Sequence, residues 1–354
     1  TRVRSSAASD VYKRQGSYGY YDNFVRALAR QLPASDDPTK TSMVLIHGRG
    51  FTTSVDELVK QVGFTPDLIC FGYGMTNIFR GAVKHKETTF NGIQDCGIPK
   101  AMLLNKEYAG SLPAKLDYMN ELGIDIGFSY HHEYKQFEKI TGIPFEFLPF
   151  AVDPHTFKDY GFDGEVNDLG FSGGLGHPDP PPEGQGWSHL LRREIVNKGQ
   201  SEDYASDWEG IKYDFTNHRH DSTADYAKRL NAAKMWLSTT GPVDIVGTRY
   251  YEVMATNTTM LLCNKAKTYW SFNDQGTRLD REVNVYDGLF EEDKHYVGFE
   301  TYDEFIDKLK YYKEHDEERV QIVNQAYEHV VNNHTWDHRA QKFLSTVNEK
   351  FNIE

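Results

Sequence analysis

Cysteine is scarce: Cys70, Cys96 and Cys263 are the only three in 354 residues. Their odd number and wide spacing argue against a disulfide scaffold and a Cys-based metal site. They point to reduced thiols in a cytosol-like compartment, so a cytoplasmic location is expected. Positive charge is also in deficit. Lys and Arg total 39 against 52 Asp and Glu, a formal net charge of −13. That leaves no large basic face for nucleic acid, although a local Arg or Lys cluster can still hold a diphosphate. No apolar run approaches the ~20 residues of a membrane span, and no signal-peptide pattern is visible. No G-x-G-x-x-G follows any predicted strand, which disfavours a nicotinamide-dependent dehydrogenase. Short internal repeats are absent as well.

What is present is a long chain with material for a core. Apolar residues make up 39% and aromatics 14%, with 22 Tyr and 21 Phe. The length suits two domains of ordinary size. The first fifteen residues, TRVRSSAASDVYKRQ, are polar and without apolar period. They look like translated cloning sequence, and residues 1–15 are expected to be a non-native leader in place of a first strand.

Beyond them, strand and helix signals alternate. Helices are predicted over 20–32, 55–62, 112–122, 133–140, 187–197, 221–232, 301–315, 317–332 and 336–351. Strands are predicted over 42–47, 67–71, 100–104, 124–129, 145–148, 167–171, 234–238, 260–263 and 282–286. This rhythm means βαβ units, right-handed crossovers and parallel sheets, an α/β fold. Pro and Gly concentrate in 149–165, which reads as a linker. The expected division is 16–155 and 156–335, two Rossmann-like domains with the natural site in the cleft between them. Residues 336–354 form a last helix that can cross back to the first domain. Trp336 and Arg339 are read there as packing residues.

Ligands of parallel sheets gather at the carboxyl ends of strands. Those ends carry His47, then Asn105, Lys106 and Glu107, then His131 and His132. The HGRGFTTS run after His47 reads as an ordinary Gly-rich turn. The loop SGGLG, with Gly173 and Gly174, follows a predicted strand. It suits close approach of backbone to a phosphate, or is simply a flexible loop. Arg192 and Arg193 read as a solvated helix face, as do Lys228 and Arg229. Glu291, Glu292 and Asp293 read as a solvated turn.

The most informative stretch is 246–264, VGTRYYEVMATNTTMLLCN. It predicts a loop, a short helix and a buried strand. Thr248 is the expected N-cap after Gly247. Tyr250, Val253 and Met254 share one helical face. Glu252 inside that helix must find donors or face a cleft. Gly247, Thr248 and Arg249 at a helix start can hold an anion. Arg249 can instead pair with Glu252 or Asp244. Asp244 precedes Glu252 by eight positions, and carboxylates so paired suit vicinal hydroxyls, which donate hydrogen bonds to them.

Several segments together resemble a family. They are DLGFSGGL from Asp168, GTRYYEVMATNTTMLLCN, the LFEED turn, YYKEHDEER and the closing HTWDHRA. This order is similar to that of GT-B glycosyltransferases, the glycosyl transferases group 1 and spore-maturation-protein-like set, most densely over residues 168–343. The resemblance implies two facing Rossmann-like domains (GT-B), a nucleotide-sugar donor in the second and a glycan, protein or small-molecule acceptor in the first. It implies a hexosyltransferase-type enzyme with no cofactor and no metal. In related retaining families two Glu are separated by seven residues, the spacing of Asp244 and Glu252 here. Glu252 matches the one said to hold the nucleotide ribose. Asp244 stands where the sugar-binding Glu is usual. Many relatives place a His-Asp pair where this chain has Asn-Lys-Glu, so Glu107, with Lys106, is the expected substitute at the acceptor. The alternatives are a nucleotide-sugar epimerase and a non-catalytic carbohydrate- or nucleotide-binding protein of the same fold.

Overall fold

The computed structural model describes residues 19–32, 43, 52–73, 79–80, 83–84, 89–104, 112–161, 166–175, 190–216, 222–241, 244–268, 271–272, 277–278 and 283–353. The chain divides into two compact units, Thr1–Pro149 with Trp336–Glu354, and Phe150–Thr335.

The first unit is built on four parallel strands: β1 (Ile69–Phe71), β2 (Lys100–Leu103), β3 (Ile126–Ser129) and β4 (Phe145–Phe147), side by side in that order. Both β2 and β3 are buried at every position, as a parallel sheet covered on both faces requires. Helices α1 (Gly19–Gln31), α2 (Val55–Val62), α3 (Leu112–Glu121) and α4 (Tyr134–Thr141) come from this unit. Helix α2 starts at a capping box, Ser54 with Glu57, and stops at Gly63 in the left-handed region (φ 86°). Residues 52–54, expected as loop, instead pair in parallel with Thr89–Asn91. The expected strand at 42–47 and His47 lie outside the described residues.

The second unit carries β5 (Asn167–Ser172), α5 (Leu190–Gly199), β6 (Tyr213–Thr216), α6 (Thr223–Asn231), β7 (Ala233–Ser238), α7 (Thr248–Met254), β8 (Met260–Asn264), β9 (Val297–Phe299), α8 (Tyr302–Glu314) and α9 (Asp316–Asn333). Its five strands are all parallel, in the order β6-β5-β7-β8-β9. The apolar run of β8 is buried from Met260 to Cys263. Met260 and Leu262 of that run join Leu169, Phe171, Met235, Leu237, Val297 and Phe299 in one core, closed by Phe305 and Leu309 of α8 and Ile322 and Val323 of α9. Each such side chain contributes about 1.5–3 kcal/mol of burial. The edge strands β6 and β9 were not expected from the sequence. The expected strand at 282–286 shrinks to Val283–Asn284, paired with Lys267–Thr268.

Helix α10 (Trp336–Phe351) closes the first unit. Phe24 of α1 packs edge-on against Trp336 and Phe343, and Phe343 meets Phe128 of β3. Arg339 donates from Nε to the Pro149 carbonyl at 2.9 Å. Trp336 and Arg339 are thus packing residues inside the first unit. No helix among the described residues is long and apolar enough to cross a membrane.

Candidate active site

The strand order of the second unit places its site. The chain passes from β5 to β6 on one side and then from β6 across to β7 on the other side of β5, so the strand order reverses between β5 and β7. In open α/β sheets a ligand crevice forms at the carboxyl ends of two such strands. Those ends are Ser172–Gly174 after β5 and Thr239–Thr240 after β7.

Helix α7 supplies the charged groups. Its N-cap is Gly247, with extended backbone and no side-chain cap, so Thr248 is the first helical residue and not the cap. The helix spans 7 residues. Tyr250, Tyr251, Val253 and Met254 are buried on its inner side, while Arg249 and Glu252 remain half-buried. The inner side is tied down further on: the Tyr250 and Tyr286 hydroxyls meet at 3.1 Å, and Tyr286 donates to the Asn264 carbonyl at 2.7 Å.

Arg249 donates from Nε to the Tyr226 hydroxyl of α6 at 3.1 Å. Its other two nitrogens lie over Gly173: a Cβ there would stand 3.0 Å from Nη1 and 3.2 Å from Nη2. Gly173 has φ 137°, a conformation side chains rarely adopt. The loop therefore needs glycine at 173 for its conformation and for the guanidinium pressed on it. Burial opposes the charge of Arg249, but the Tyr226 phenol and the Glu252 carboxylate outweigh it and hold its pKa above the ordinary arginine value.

The Glu252 carboxyl is pushed up to about 7, chiefly by burial, against the opposing pull of Arg249 and the Thr248 and Tyr226 hydroxyls. Asp244 sits in the left-handed region (φ 56°) in the turn before α7. It accepts from the Thr240 hydroxyl at 3.1 Å. Asn264, at the end of β8, holds the same threonine by accepting from the Thr240 backbone N–H at 2.9 Å.

Arg192 differs from its expected solvated role. It is 4% exposed. Nε donates to the Thr239 hydroxyl at 3.0 Å, Nη2 to the Thr239 carbonyl at 3.0 Å, and Nη1 to the Gly174 carbonyl at 2.9 Å. It straps together the two loops of the crevice. Burial, and then the charge of nearby Arg249, pull its pKa down to about 9. Arg193 donates to the Leu175 carbonyl at 3.0 Å, and Arg229 pairs with Asp214. Replacing Arg192 with Met strips donors from two carbonyls and a hydroxyl. Its expected cost is about 3 kcal/mol, or roughly 6–12 °C in melting temperature for a unit of this size, measured by calorimetry.

Gly173, Gly174, Asp244, Gly247, Thr248, Arg249 and Glu252 thus lie on the loops and helix that follow β5 and β7 in the second unit. Lys106 and Glu107 lie outside the described residues. His131 is fully buried. Its Nδ1 accepts from the Glu133 N–H at 3.0 Å, and its ring stacks on His132 with centroids 4.3 Å apart. Glu291 pairs with Lys294 across the expected solvated turn. Among the described residues no group of three His, Cys, Asp or Glu is placed to hold a metal ion. Sequence reading missed Tyr226 and the strapping role of Arg192. Both act on residues at least 18 positions away, and no local pattern marks such contacts.

Residues 188–345 match the family model described as glycosyl transferase-like. Similar solved structures have the same architecture. HepE from Anabaena, solved with UDP and glucose, has a TM-score of 0.54 at 12% identity, over 83% of this chain and 81% of that one. Sucrose-phosphate synthase from Thermosynechococcus elongatus has a TM-score of 0.53 at 9% identity, over 84% and 76%. The chain is GT-B in fold. HepE was also solved with UDP-glucose, at a TM-score of 0.54 and 12% identity, over 83% of this chain and 82% of that one. No curated protein matches the chain in sequence. The matched segment includes α5, α6, α7 and β8.

Proposed function

We propose that the crevice of the second unit binds a nucleoside diphosphate-sugar, and that the chain transfers the sugar to a hydroxyl acceptor without a metal ion. The supporting observation is a surplus of positive charge at a glycine loop. Arg192 and Arg249 are close enough for the charge of one to depress the pKa of the other. Among the described residues Arg192 makes no ion pair with a carboxylate. A diphosphate bound against Gly173 and Gly174 relieves that repulsion and receives the Arg249 Nη groups. When the bond from the sugar to the diphosphate breaks, its electron pair passes to the phosphate oxygen. The same guanidinium then stabilises the growing charge. This is the service a divalent cation gives in other transferases.

Glu252 is the ribose partner, accepting from vicinal hydroxyls, and Asp244 faces the sugar. The fixed turn through Thr240 and Asn264 supports that second role. No step is assigned to Lys106 and Glu107. UDP is the first nucleotide to test, since the structurally similar HepE binds it.

The test is calorimetric binding of UDP, GDP and ADP in the presence of EDTA, to wild type and to Glu252→Gln. One diphosphate binds wild type with EDTA present, and the variant binds it at least tenfold more weakly, the usual worth of a hydrogen bond to a charged group. Binding that appears only after a divalent metal is restored sinks the metal-free reading. A folded protein that binds no diphosphate sinks the donor site. Turnover of the sugar conjugate with and without an acceptor then separates a transferase from an epimerase and from a silent binder.

A further inference from the structure

A chain of hydrogen bonds runs in one direction through the second unit and ends on Asp244. Tyr286 donates to the Asn264 carbonyl at 2.7 Å, and a carbonyl can only accept. The Tyr286 proton is spent there, so at the 3.1 Å contact between the two phenols it is Tyr250 that donates. On the side chain of Asn264, the Thr240 backbone N–H at 2.9 Å requires an acceptor, so the amide oxygen faces it. The amide nitrogen then faces the Thr240 hydroxyl at 3.3 Å and donates to it. A hydroxyl has one proton. With the amide pointing a proton at the Thr240 oxygen, the threonine's own proton goes to the Asp244 carboxylate at 3.1 Å. Thr240 is buried, so no solvent competes for that proton.

The backbone of Asp244 is held as firmly. Its turn is closed by the Gly241 N–H on the Ile245 carbonyl at 2.8 Å and the Asp244 N–H on the Gly241 carbonyl at 3.1 Å. Inside it Asp244 stands at φ 56°, an angle uncommon for residues other than glycine. Glycine would take that angle without strain, so what the position retains is the carboxylate. Strain of this kind gathers at functional sites.

We infer that Thr240 and Asn264 are positioning residues for the sugar end of the donor: together they aim the Asp244 carboxylate and keep it an acceptor of sugar hydroxyls. A carboxylate has several acceptor sites, and the Thr240 hydroxyl takes one. The far end of the chain, Tyr250, is the neighbour of Arg249 on α7. The group aimed at the sugar is thereby tied to the helix that serves the diphosphate and the ribose, and two parts of one ligand are set against a single frame. This rests on the donor-site reading above.

The experiment is calorimetric titration of the full chain with UDP and with UDP-glucose, UDP-galactose and UDP-N-acetylglucosamine, for wild type, Thr240→Val and Thr240→Ser. If wild type binds GDP or ADP instead, that diphosphate and its glucose conjugate take their place. Valine keeps the shape of threonine and drops the hydroxyl, whereas serine keeps the hydroxyl. The readout is the affinity for the best-bound sugar conjugate divided by that for the bare diphosphate, which isolates the sugar end. Thr240→Val is expected to lower this ratio roughly tenfold, the usual worth of a hydrogen bond to a charged group, with affinity for the bare diphosphate within about twofold of wild type. Thr240→Ser restores the ratio. An equal loss for both ligands is what a merely structural clamp gives, and it overturns the inference, as does an unchanged ratio. If Thr240→Val does not fold, Asn264→Asp gives the same readout. It keeps an acceptor for the Thr240 N–H but removes the amide proton, so the hydroxyl turns from Asp244 to the new carboxylate. The ratio falls again, and an unmoved ratio overturns the inference. A folded wild type that binds no diphosphate overturns the donor reading first. One that binds the diphosphate but none of the conjugates overturns the sugar role of Asp244, and the inference with it.

Discussion

Replacing Arg249 with Met lowers kcat/KM for the nucleotide-sugar by about 10²–10³, or roughly 3–4 kcal/mol of transition-state stabilisation. Methionine keeps the apolar stem, so packing along α7 changes little. What is lost is the guanidinium, whose Nη atoms would stand 3.0 and 3.2 Å from a Cβ at Gly173. The loss falls on kcat as well as on UDP affinity, because the leaving diphosphate gains charge as the bond breaks. Steady-state kinetics and UDP calorimetry measure the two parts, and circular dichroism verifies the fold. A loss below threefold in kcat/KM with normal folding removes Arg249 from the reaction. Gly173→Ala attacks the same contact from the other side. It puts a methyl against the guanidinium at a backbone angle that disfavours any side chain, and weakens UDP binding while Arg249 is intact.

The second large effect is on stability. Gly170 lies in β5, directly opposite Trp236 in the register of β7 and opposite Asp214 in β6. A methyl at 170 would stand 2.3 Å from two carbons of the Trp236 ring and 3.1 Å from the Cβ of Ala233. β5 is hydrogen-bonded on both sides, so it cannot step away, and the tryptophan ring is fully buried. Overpacking of a filled core costs about 1–3 kcal/mol, and more where nothing can yield. Gly170→Ala is therefore expected at or above the upper figure, seen as a fall of roughly 6–12 °C in melting temperature. Trp236 also backs the Tyr226 ring, so UDP affinity drops in the same variant. Gly170→Ala with Trp236→Phe recovers part of both losses, a coupling that a double-mutant cycle reads directly. A stable Gly170→Ala protein would show that the ring does not lie over the strand.

Much of the frame was legible because it is written locally. Alternating apolar runs and helical faces gave β2, β3, β5, β7 and β8 to within two residues at each end, and α10 from Trp336 to Phe351. The loop, helix and strand around Glu252 followed from the apolar spacing of Tyr250, Val253 and Met254. The edge strands escaped notice for a physical reason. β6 reads Tyr-Asp-Phe-Thr and β9 reads Val-Gly-Phe, too short and too mixed for a period-two pattern. The sheet makes them strands by offering hydrogen bonds at its rims. Strand order, and with it the place where the crevice opens, depends on those two rims. Arg192 was misjudged because a charge on an amphipathic helix ordinarily meets water. Here two loops from elsewhere bring carbonyls to it. Tyr226 looked like any aromatic on a helix until α6 and α7 met.

The closing helix carries a consequence for how the protein is made. Phe150–Thr335 is one unbroken stretch, whereas the first unit waits for Trp336–Phe351 to cover Phe24 and Phe128. A ribosome therefore delivers the whole second unit before the first unit has its last wall. Domains generally fold as units as they emerge. In this chain the later stretch is ready first, and the earlier one passes its synthesis with an apolar groove open to chaperones and to neighbouring chains.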